Sequence, residues 1–452
     1  MTLSSAAASA GPVEDTFLAP PFGLLDYIRR LRANQLSVIT PEVFHRNLIH
    51  SRLFFLDSYL VNKPDYIEQV LLTNQQNYVK SQFARTALGP LLGDGMLLSE
   101  GAFWRSQRGI AAPAFHHRRI AGMIDATGAE TEAMLARWQG RHEPFNVAAE
   151  MMGLTLSIIA RTMFSIDVGS EIETIRQLMD EVVARPASLL DVFGLPSWLP
   201  RFYSRRFRAA VAAFDALVAR LVAERRAETG DRGDLLSMLL AARDPETGAG
   251  MDDKLLRDEI LTIFLAGHET TANALSWCWF LLAQHPEAEA RLHAELDRVL
   301  GGRTPGFADL AELKYTRMIF DEALRLYPPA HTIARTALGE DHLGGVRIRP
   351  GAAIFISIYV THRNPTLWPE PDRFDPDRFA PEAVAGRHRF AYLPFSGGPR
   401  ICIGNSFAVA EAQVILATIA QRHRLRLAPG RPVEPIAQVT LRPKHGIWVS
   451  SQ

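Results

Sequence analysis

The sequence predicts a mainly α-helical protein with small β-sheets. Helical periodicity dominates residues 102–330, whereas segments with strand character occur near the two ends of the chain. The strand segments are too few for a barrel and do not alternate with helices as they would in a doubly wound sheet. Residues 361–400 show little periodicity of either kind. They predict a long ordered loop, and loops of that length are often functional.

Taken in order, the elements follow from local patterns of apolar residues. Residues 53–61 predict a strand, and residues 346–360 predict a β-hairpin. Apolar side chains recur near the 3.6-residue period over residues 405–422, so we expect a final helix there. The last strands are expected near residues 439–441 and 446–449.

The composition is that of an ordinary globular protein. Among 452 residues, Lys plus Arg and Asp plus Glu both number 49, so the formal net charge is zero. This balance argues against nucleic-acid binding, which usually needs a basic excess. The two cysteines, Cys278 and Cys402, form no disulfide framework and fit a reducing, cytoplasmic compartment. Residues 1–19 lack the features of a signal peptide and are expected to be a disordered leader before a single domain at 20–452.

Residues 260–283 are apolar enough to resemble a membrane span. His268 and Glu269 lie in the middle of this segment, and both side chains are costly in lipid. We therefore expect a buried core helix rather than a transmembrane anchor.

One cysteine follows a glycine-rich turn and directly precedes the final helix, in the segment Phe395-Ser-Gly-Gly-Pro-Arg-Ile-Cys402-Ile-Gly404. The positive end of a helix favours the thiolate, which is the form that binds metal. The glycines would let the backbone approach a flat cofactor closely. Zinc is disfavoured because no second cysteine or paired histidine lies nearby at ligand spacing. A buried structural cysteine on a turn is the alternative interpretation.

Three helical segments carry polar residues that need an explanation. Glu322 and Arg325 share a helix face, which for an isolated pair indicates a solvated salt bridge. Trp104 and Arg108 also share a face, and this signal is weak by itself. Ala266-Gly-His-Glu-Thr-Thr271 interrupts an apolar helix with a glycine, an acid and two threonines. Such groups are costly inside a helix, so they indicate either a kink whose polar groups are satisfied or a functional site.

The cysteine segment resembles the cysteine loop of the cytochrome P-450 superfamily, whose form is F-x-x-G-x-R-x-C-x-G. The match is complete over Phe395, Gly398, Arg400, Cys402 and Gly404. The resemblance implies a haem b cofactor with Cys402 as the axial thiolate ligand of its iron. It also implies that Phe395 packs near the sulfur and that Arg400 pairs with a haem propionate.

The pair Glu322 and Arg325 is similar to the E-x-x-R helix of the same superfamily. There the pair is buried and joins an arginine of the later loop, a position that Arg373 matches in this chain. The resemblance implies a structural network that holds the cysteine loop, and a network of this kind fixes geometry more than it adds stability.

Two more motifs match in the family's order along the chain. The segment with Glu269 and Thr270 is similar to A-G-x-[DE]-T-T, which implies that Thr270 hydrogen-bonds the bound dioxygen species and that Glu269 helps to deliver protons. Trp104 and Arg108 match W-x-x-x-R and are expected at the haem propionates, as is Arg335.

The resemblance extends from about residue 20 to the end and implies a haem lying between the helix of Thr270 and the helix that follows Cys402. The implied reaction uses two electrons and two protons to split dioxygen; one oxygen atom enters a C–H or double bond of the substrate and the other leaves as water. A thiolate ligand favours this O–O cleavage. No fused reductase and no bound flavin are expected, so a ferredoxin or flavodoxin with its NAD(P)H reductase is expected to supply electrons.

The expected substrate is a lipophilic small molecule, because the segments that match the family's specificity loops are largely apolar: residues 83–98 and 189–202, Ile333 and Val439. A fatty acid, a terpenoid, an alkane or an aromatic compound would fit. Two alternatives are a haem-thiolate peroxygenase or rearrangement enzyme, and a non-catalytic haem-binding protein. The acid–threonine pair argues against both, because neither needs a proton relay for dioxygen reduction.

Overall fold

The computed structural model describes most of the chain. The described residues are 16–17, 22–53, 56–166, 174–178, 181, 203–228, 230, 232–243, 248 and 250–452. The expected specificity segment 189–202 lies outside them, and so does the expected leader apart from residues 16–17.

Helices make up most of the described structure. The helices run, in chain order, α1 Leu24–Ala33, α2 Pro64–Glu68, α3 Gln82–Leu92, α4 Gly101–Ala111, α5 His117–Trp138, α6 Val147–Phe164, α7 Arg205–Ala227, α8 Leu235–Ala241, α9 Asp253–Leu282, α10 Pro286–Val299, α11 Lys314–Leu326, α12 Ile358–Thr361, α13 Pro381–Ala385 and α14 Asn405–Ala420. The final helix therefore begins at the residue that the sequence predicts.

The strands are short and form small sheets, which confirms the predicted fold class. They are β1 Thr16–Phe17, β2 Leu48–Leu53, β3 Leu56–Val61, β4 Tyr78–Lys80, β5 Phe145–Asn146, β6 Thr332–Ala337, β7 Asp341–Leu343, β8 Val346–Ile348, β9 Ala353–Ser357, β10 Leu425–Leu427, β11 Pro435–Ala437, β12 Leu441–Pro443 and β13 Trp448–Ser451. In the described part of the chain, the largest sheet has the order β1-β2-β3-β9-β6-β4, and β10, β13 and β5 form a second one. The pairs β11–β12 and β7–β8 are separate two-stranded ribbons.

The long helix α9 lies at the centre of the core and packs against α6, α11 and α14. Its side chains Ile260 and Leu275 are completely buried. Gly267 allows the close contact with α6, because a Cβ at this position would lie 2.8 Å from Cδ1 of Ile159. The prediction that residues 260–283 form a buried core helix is confirmed.

Among the described residues, α6 is the helix that is long and apolar enough to cross a membrane by length and composition. However, 61% of it is buried inside the protein. Packing in the core accounts for an apolar helix of this kind, so its composition is weak support for a membrane span.

One strand prediction needs a correction to its bounds, and another is wrong in its pairing. The strand predicted at residues 53–61 is confirmed as β3 over Leu56–Val61, but Leu53 belongs to β2, which pairs antiparallel with β3. Residues 346–360 do not form a hairpin, because β8 pairs with β7 whereas β9 pairs with β3 and β6. Apolar periodicity indicates that a segment is a strand, but its partner is chosen by the tertiary structure.

The chain ends also differ from expectation. Thr16 and Phe17 form β1 and pair in parallel with Ile49 and His50, so this part of the expected leader is structured. The last two strands, β12 and β13, begin about two residues later than expected. Boundary shifts of this size are normal for assignments made from sequence.

Candidate functional site

The loop that precedes α14 is closed by its own backbone. The Cys402 N–H donates to the carbonyl oxygen of Phe395 at 2.9 Å. Within the loop, Ser396 has a φ of 64° and Gly398 a φ of 66°, so the chain passes twice through the left-handed region. The helix begins at Asn405, three residues after the cysteine. The thiol is therefore held just before a helix N-terminus.

Gly398 has no room for a side chain. A Cβ at this position would lie 1.8 Å from the carbonyl oxygen of Leu71, and its φ costs an L-residue about 1–2 kcal/mol. We expect Gly398→Ala to lower the free energy of unfolding by at least ~2 kcal/mol, because the loop must both strain and move. Urea unfolding measures this.

The control is Gly109→Ala in α4, where an added Cβ meets nothing within 4 Å. That variant should be neutral or slightly more stable than the native chain, since alanine is the better helix former. A Gly398→Ala protein as stable as Gly109→Ala would contradict the close approach of the loop to Leu71.

The surroundings of the Cys402 thiol shift its pKa in two directions. The residue is exposed, yet protein groups surround the sulfur closely enough for desolvation to raise its pKa. The Gly404 N–H and the positive charge of Arg108 oppose this shift. Because the pKa remains raised, the helix terminus alone does not supply a thiolate, whereas coordination to a metal would.

Trp104 and Arg108 of α4 lie against the cysteine loop. Arg108 donates from Nη2 to the carbonyl oxygen of Ile401 at 2.8 Å, directly before the cysteine. The guanidinium of Arg400 lies 4.2 Å from the centroid of the Trp104 ring, and that of Arg108 lies 5.8 Å from it. The indole thus contacts two cations. Arg400 belongs to the cysteine loop, whereas Arg108 binds the loop from α4 on the side of the sulfur.

A basic cluster, which consists of Lys80, Arg335 and Arg400, adjoins the same loop. Lys80 and Arg335 face each other directly in the antiparallel pair β4–β6, where like charges are destabilising. Arg400 forms an ion pair with Glu100 and donates to the Ser99 carbonyl at 2.8 Å. Within the described part of the chain, neither Lys80 nor Arg335 has a carboxylate at salt-bridge distance. Lys80 and Arg335 therefore lack the directly paired carboxylate that Arg400 has.

The pKa values in the basic cluster show that its cations are held in a buried, mutually repelling arrangement. Burial, with Arg335 and Arg400 nearby, holds the pKa of Lys80 well below its usual value. Burial also lowers the pKa of Arg335 to about 10, and Glu100 opposes both shifts. A ligand that presents carboxylates here would compensate the positive charge. Sequence reasoning missed Lys80, because a single lysine at a strand end has no pattern around it.

Glu322 and Arg325 form an ion pair whose side chains are completely buried. Two hydrogen bonds of 2.7 Å join the guanidinium to the carboxylate. Arg325 also donates to the carbonyl oxygens of His362, Pro371 and Arg373, at 2.9, 2.6 and 3.0 Å. The pair therefore joins α11 to two places in the long loop at residues 361–400.

Arg373 enters this network through its main chain and not through its guanidinium. Its side chain is exposed and pairs with Glu370 at 3.1 Å. The arginine side chain that approaches the Glu322 carboxylate is Arg378, with Nε 3.6 Å from Oε1. The sequence match identified the right loop, but a motif cannot tell which atoms of a residue make the contact.

His362 connects the ion pair to the cysteine loop. Its carbonyl accepts from Arg325, and its ring Nε2 accepts from the N–H of Leu393 at 2.9 Å. Burial lowers the pKa of His362 to about 3, so the ring is neutral and carries its proton on Nδ1. Leu393 in turn accepts from the N–H of Ser396 in the cysteine loop at 3.0 Å. His362 matches no motif, so its role does not follow from the sequence alone.

Helix α9 presents a short accessible stretch in an otherwise buried segment. Ala266 is exposed and Thr270 is half-buried, while most neighbouring residues are buried. The Thr270 hydroxyl donates to the Ala266 carbonyl at 2.6 Å, and Thr155 of α6 donates to the His268 carbonyl at 3.1 Å. Hydroxyl bonds to helix carbonyls favour bending. His268 itself is buried, which lowers its pKa to about 4, so it is neither a helix-surface residue nor a charged one.

Glu269, the neighbour of Thr270, is buried and contacts the C-terminal ribbon β11–β12. Thr440 donates from its hydroxyl to Oε1 of Glu269 at 2.5 Å. Burial raises the pKa of Glu269. Thr271, the residue after Thr270, affects the carboxyl group of Glu411 in α14. Burial raises the pKa of that carboxyl group to about 8, and Thr271 opposes this shift. The polar stretch of α9 thus meets both the ribbon and the helix that follows the cysteine.

These features define the class of protein. Three features suit a planar, doubly carboxylated metal cofactor: an accessible thiol just before a helix N-terminus, a loop held by a buried ion pair, and the adjacent basic cluster. In that cluster, among the described residues, Lys80 and Arg335 have no carboxylate at salt-bridge distance. Haem, with a thiolate ligand, has that chemistry.

Comparisons with known proteins agree with this class. The family Cytochrome P-450 matches residues 44–449. Cyclooctatin synthase of Streptomyces melanosporofaciens is 43% identical over 88% of this chain and 87% of its own. Pentalenene oxygenase of Streptomyces avermitilis is 34% identical over 88% of each chain. The crystal structure of the haem domain of cytochrome P450DA superposes with a TM-score of 0.83 at 28% identity and covers 96% of both chains.

The chain belongs to the cytochrome P-450 family, and it is a monooxygenase of that family. The family implies a haem cofactor, and the residues described above fit it. Cys402 supplies a thiol that can ligate iron, and the basic cluster supplies cations for carboxylates. Gly398 allows the loop to pass close to Leu71.

Proposed function

We propose that this enzyme inserts one oxygen atom of dioxygen into a terpenoid hydrocarbon or alcohol. The observation that carries the proposal is the similarity to relatives named for cyclooctatin, cyclooctat-9-en-7-ol and pentalenene, which are cyclic terpenoids. These include Cyclooctatin synthase, at 43% identity, and Cyclooctat-9-en-7-ol 5-monooxygenase of Streptomyces melanosporofaciens, at 38% identity over 90% of this chain and 88% of its own.

Each group of site residues has a distinct task in this proposal. Cys402 would ligate the haem iron, and the basic cluster would bind the haem carboxylates. The ion pair of Glu322 and Arg325 holds the cysteine loop in place through His362. When bound, haem supplies the oxygen-activating chemistry. Thr270 holds a proton at its hydroxyl beside the accessible stretch of α9. Glu269 delivers protons to the space beside that stretch.

Apolar side chains at the expected specificity segments support a lipophilic substrate. Leu97 and Val439 are both exposed in the structure. Leu91 and Leu92, in the same expected segment as Leu97, are instead buried in the core and are not available to a ligand. A small number of exposed apolar groups suits a cyclic hydrocarbon skeleton, which needs few polar contacts.

We further propose that electrons reach the enzyme from a separate ferredoxin or flavodoxin with its NAD(P)H reductase, in the cytoplasm. The test is reconstitution of the haem-loaded protein with each donor and isotopically labelled dioxygen. Terpenoid alcohols and hydrocarbons should shift the Soret band and yield products that carry one labelled oxygen atom. Turnover with peroxide but none with donor and dioxygen would instead favour a peroxygenase.

A fatty acid is the second candidate substrate. Ultra-long-chain fatty acid omega-hydroxylase of Homo sapiens is 32% identical over 85% of this chain and 77% of its own. The same reconstitution should include long-chain fatty acids. Tighter binding and faster oxidation of a fatty acid than of every terpenoid offered would overturn the terpenoid proposal.

Thr270→Ala tests the proposed proton-holding role directly. We expect NAD(P)H consumption to continue while product per reducing equivalent falls by roughly 10²-fold, the lower end of what a positioned proton-transfer group contributes. The difference should appear as hydrogen peroxide, because dioxygen is reduced without reaching the substrate. Simultaneous assays of NAD(P)H, product and peroxide measure this.

Ser276→Ala is the matched control for that variant. Ser276 lies on the same helix and bonds the carbonyl four residues earlier at 2.6 Å, as Thr270 does, but it is completely buried. Its variant should retain native coupling of NAD(P)H to product. Equal coupling in Thr270→Ala and Ser276→Ala would rule out the role assigned to Thr270.

A further inference from the structure

The carboxyl group of Glu269 is held by two residues that belong to none of the sequence motifs. The Thr440 hydroxyl donates to Oε1 of Glu269 at 2.5 Å, and Asn273 Nδ2 donates to the oxygen of that same hydroxyl at 3.3 Å. All three side chains are buried. Asn273 lies one turn after Glu269 on α9, whereas Thr440 lies at the turn of the ribbon β11–β12.

The polarity of this chain of hydrogen bonds follows from its donors. An amide NH₂ group can only donate, so the Thr440 oxygen accepts from Asn273 and its single proton points to Glu269. Oε1 of Glu269 is thereby fixed as an acceptor. A proton carried by the Glu269 carboxyl group must then sit on Oε2.

We propose that Thr440 and Asn273 are positioning residues for Glu269, which hold Oε1 so that protons leave and return at Oε2, toward the stretch of α9 that contains Thr270. In each transfer, the O–H bond at Oε2 breaks and the proton passes to an acceptor oxygen near Thr270. A hydronium ion of the solvent then protonates the carboxylate and becomes water. This inference rests on the proposed function of Glu269 as a proton donor. It adds that the C-terminal ribbon controls that donor.

The charges around Glu269 are consistent with such control. Burial raises its pKa, whereas Thr440, the half-buried Arg442 of β12 and Asn273 lower it. Among the described residues, Arg442 is the charged group that acts on this carboxyl from a packed element, and it also donates to Oε1 of Gln438 at 3.4 Å. Three groups thus lower the proton affinity that burial would otherwise impose, and two of them come from the ribbon.

The ribbon also links proton supply by Glu269 to the proposed substrate site. Val439, the residue before Thr440, is exposed and belongs to an expected specificity segment. A substrate that contacts Val439 would therefore contact the turn of the ribbon whose Thr440 holds Glu269. Proton supply would then respond to occupancy of the substrate site.

Thr440→Val tests the proposal, because it removes the hydroxyl and keeps the shape. In the haem-loaded protein, infrared spectroscopy against pH follows the carboxyl stretch of Glu269, which is assigned as the band lost in Glu269→Gln. We expect its midpoint to rise by roughly one to two pH units in Thr440→Val, since a hydrogen bond to the charged form is lost. The pH profile of product per NAD(P)H should shift in the same direction.

Three further variants make the result decisive. Thr440→Ser keeps the hydroxyl and should retain the native midpoint, whereas Asn273→Leu should raise it as Thr440→Val does. Thr418→Val removes a buried hydroxyl that donates to the Val414 carbonyl of its own helix α14 at 2.7 Å, its one side-chain hydrogen bond within the described part of the chain. This variant should leave both readouts unchanged. Native midpoints in folded Thr440→Val and Asn273→Leu proteins would overturn the proposal.

Failure of the proposed function gives a different pattern. If the native enzyme oxidised no substrate with any donor, the proton-donor role would fall, while the infrared midpoints would still report whether Thr440 and Asn273 hold Glu269. If turnover were normal but the pH profiles of all variants coincided, the positioning role alone would fall.

Discussion

Cys402→Ser should abolish the red-shifted absorption that reduced, carbon monoxide-treated haem-thiolate proteins show, and with it monooxygenase turnover. A serine hydroxyl does not ionise as a thiol does and cannot replace its electron donation to iron. The loss of activity should exceed the roughly 10–100-fold effect of removing an outer partner of a metal ligand. Absorption spectra and product assays on the purified, haem-loaded variant measure both effects.

Two companion variants distinguish loss of the thiolate ligand from loss of the bound haem or of the fold. Cys402→His can ligate iron through its ring, so it should retain haem and shift the absorption to the position typical of nitrogen ligation. Cys278→Ala should retain the red-shifted band, because Cys278 is completely buried in α9 and packs in the core. A folded, haem-loaded Cys402→Ser protein that kept the red-shifted band would exclude Cys402 as the ligand.

The second large effect is expected for Arg325→Ala. Removal of this side chain leaves the completely buried Glu322 carboxylate without its partner and three carbonyl groups without a donor. Breaking a buried pair in this way typically costs about 3–5 kcal/mol. We expect a lower urea midpoint and a lower ratio of haem to protein, since His362 and the cysteine loop lose their anchor. Arg325→Lys should fail similarly, because an ammonium cannot reproduce the planar fork.

Arg373→Ala is the control from the same network. Its guanidinium is exposed and pairs with Glu370 at the surface, while its carbonyl, which Arg325 uses, survives the substitution. Surface pairs of this kind contribute about 0–1 kcal/mol. Equal loss of stability in Arg373→Ala and Arg325→Ala would show that the side chain of Arg373 belongs to the network after all.

Prediction from sequence worked where the signal is local. The helix that follows Cys402 was predicted to begin at Asn405, because turn glycines and apolar periodicity both act over a few residues. The side chains Glu322 and Arg325 are likewise one turn apart, and their pairing follows from helix geometry. The wrong hairpin at residues 346–360 shows the limit, since strand character is local but strand pairing is not.

The amino-acid sequence alone thus determined the fold class, the loop that carries Cys402 and the acid–threonine pair of α9, because each depends on neighbours within one or two turns. Only the tertiary structure decided which distant groups complete the site. Lys80 meets Arg335 across a strand pair, and Thr440 reaches Glu269 from 171 residues away. Such contacts form when burial of the core brings remote segments together, and the selection among many possible partners depends on the packing of the whole chain.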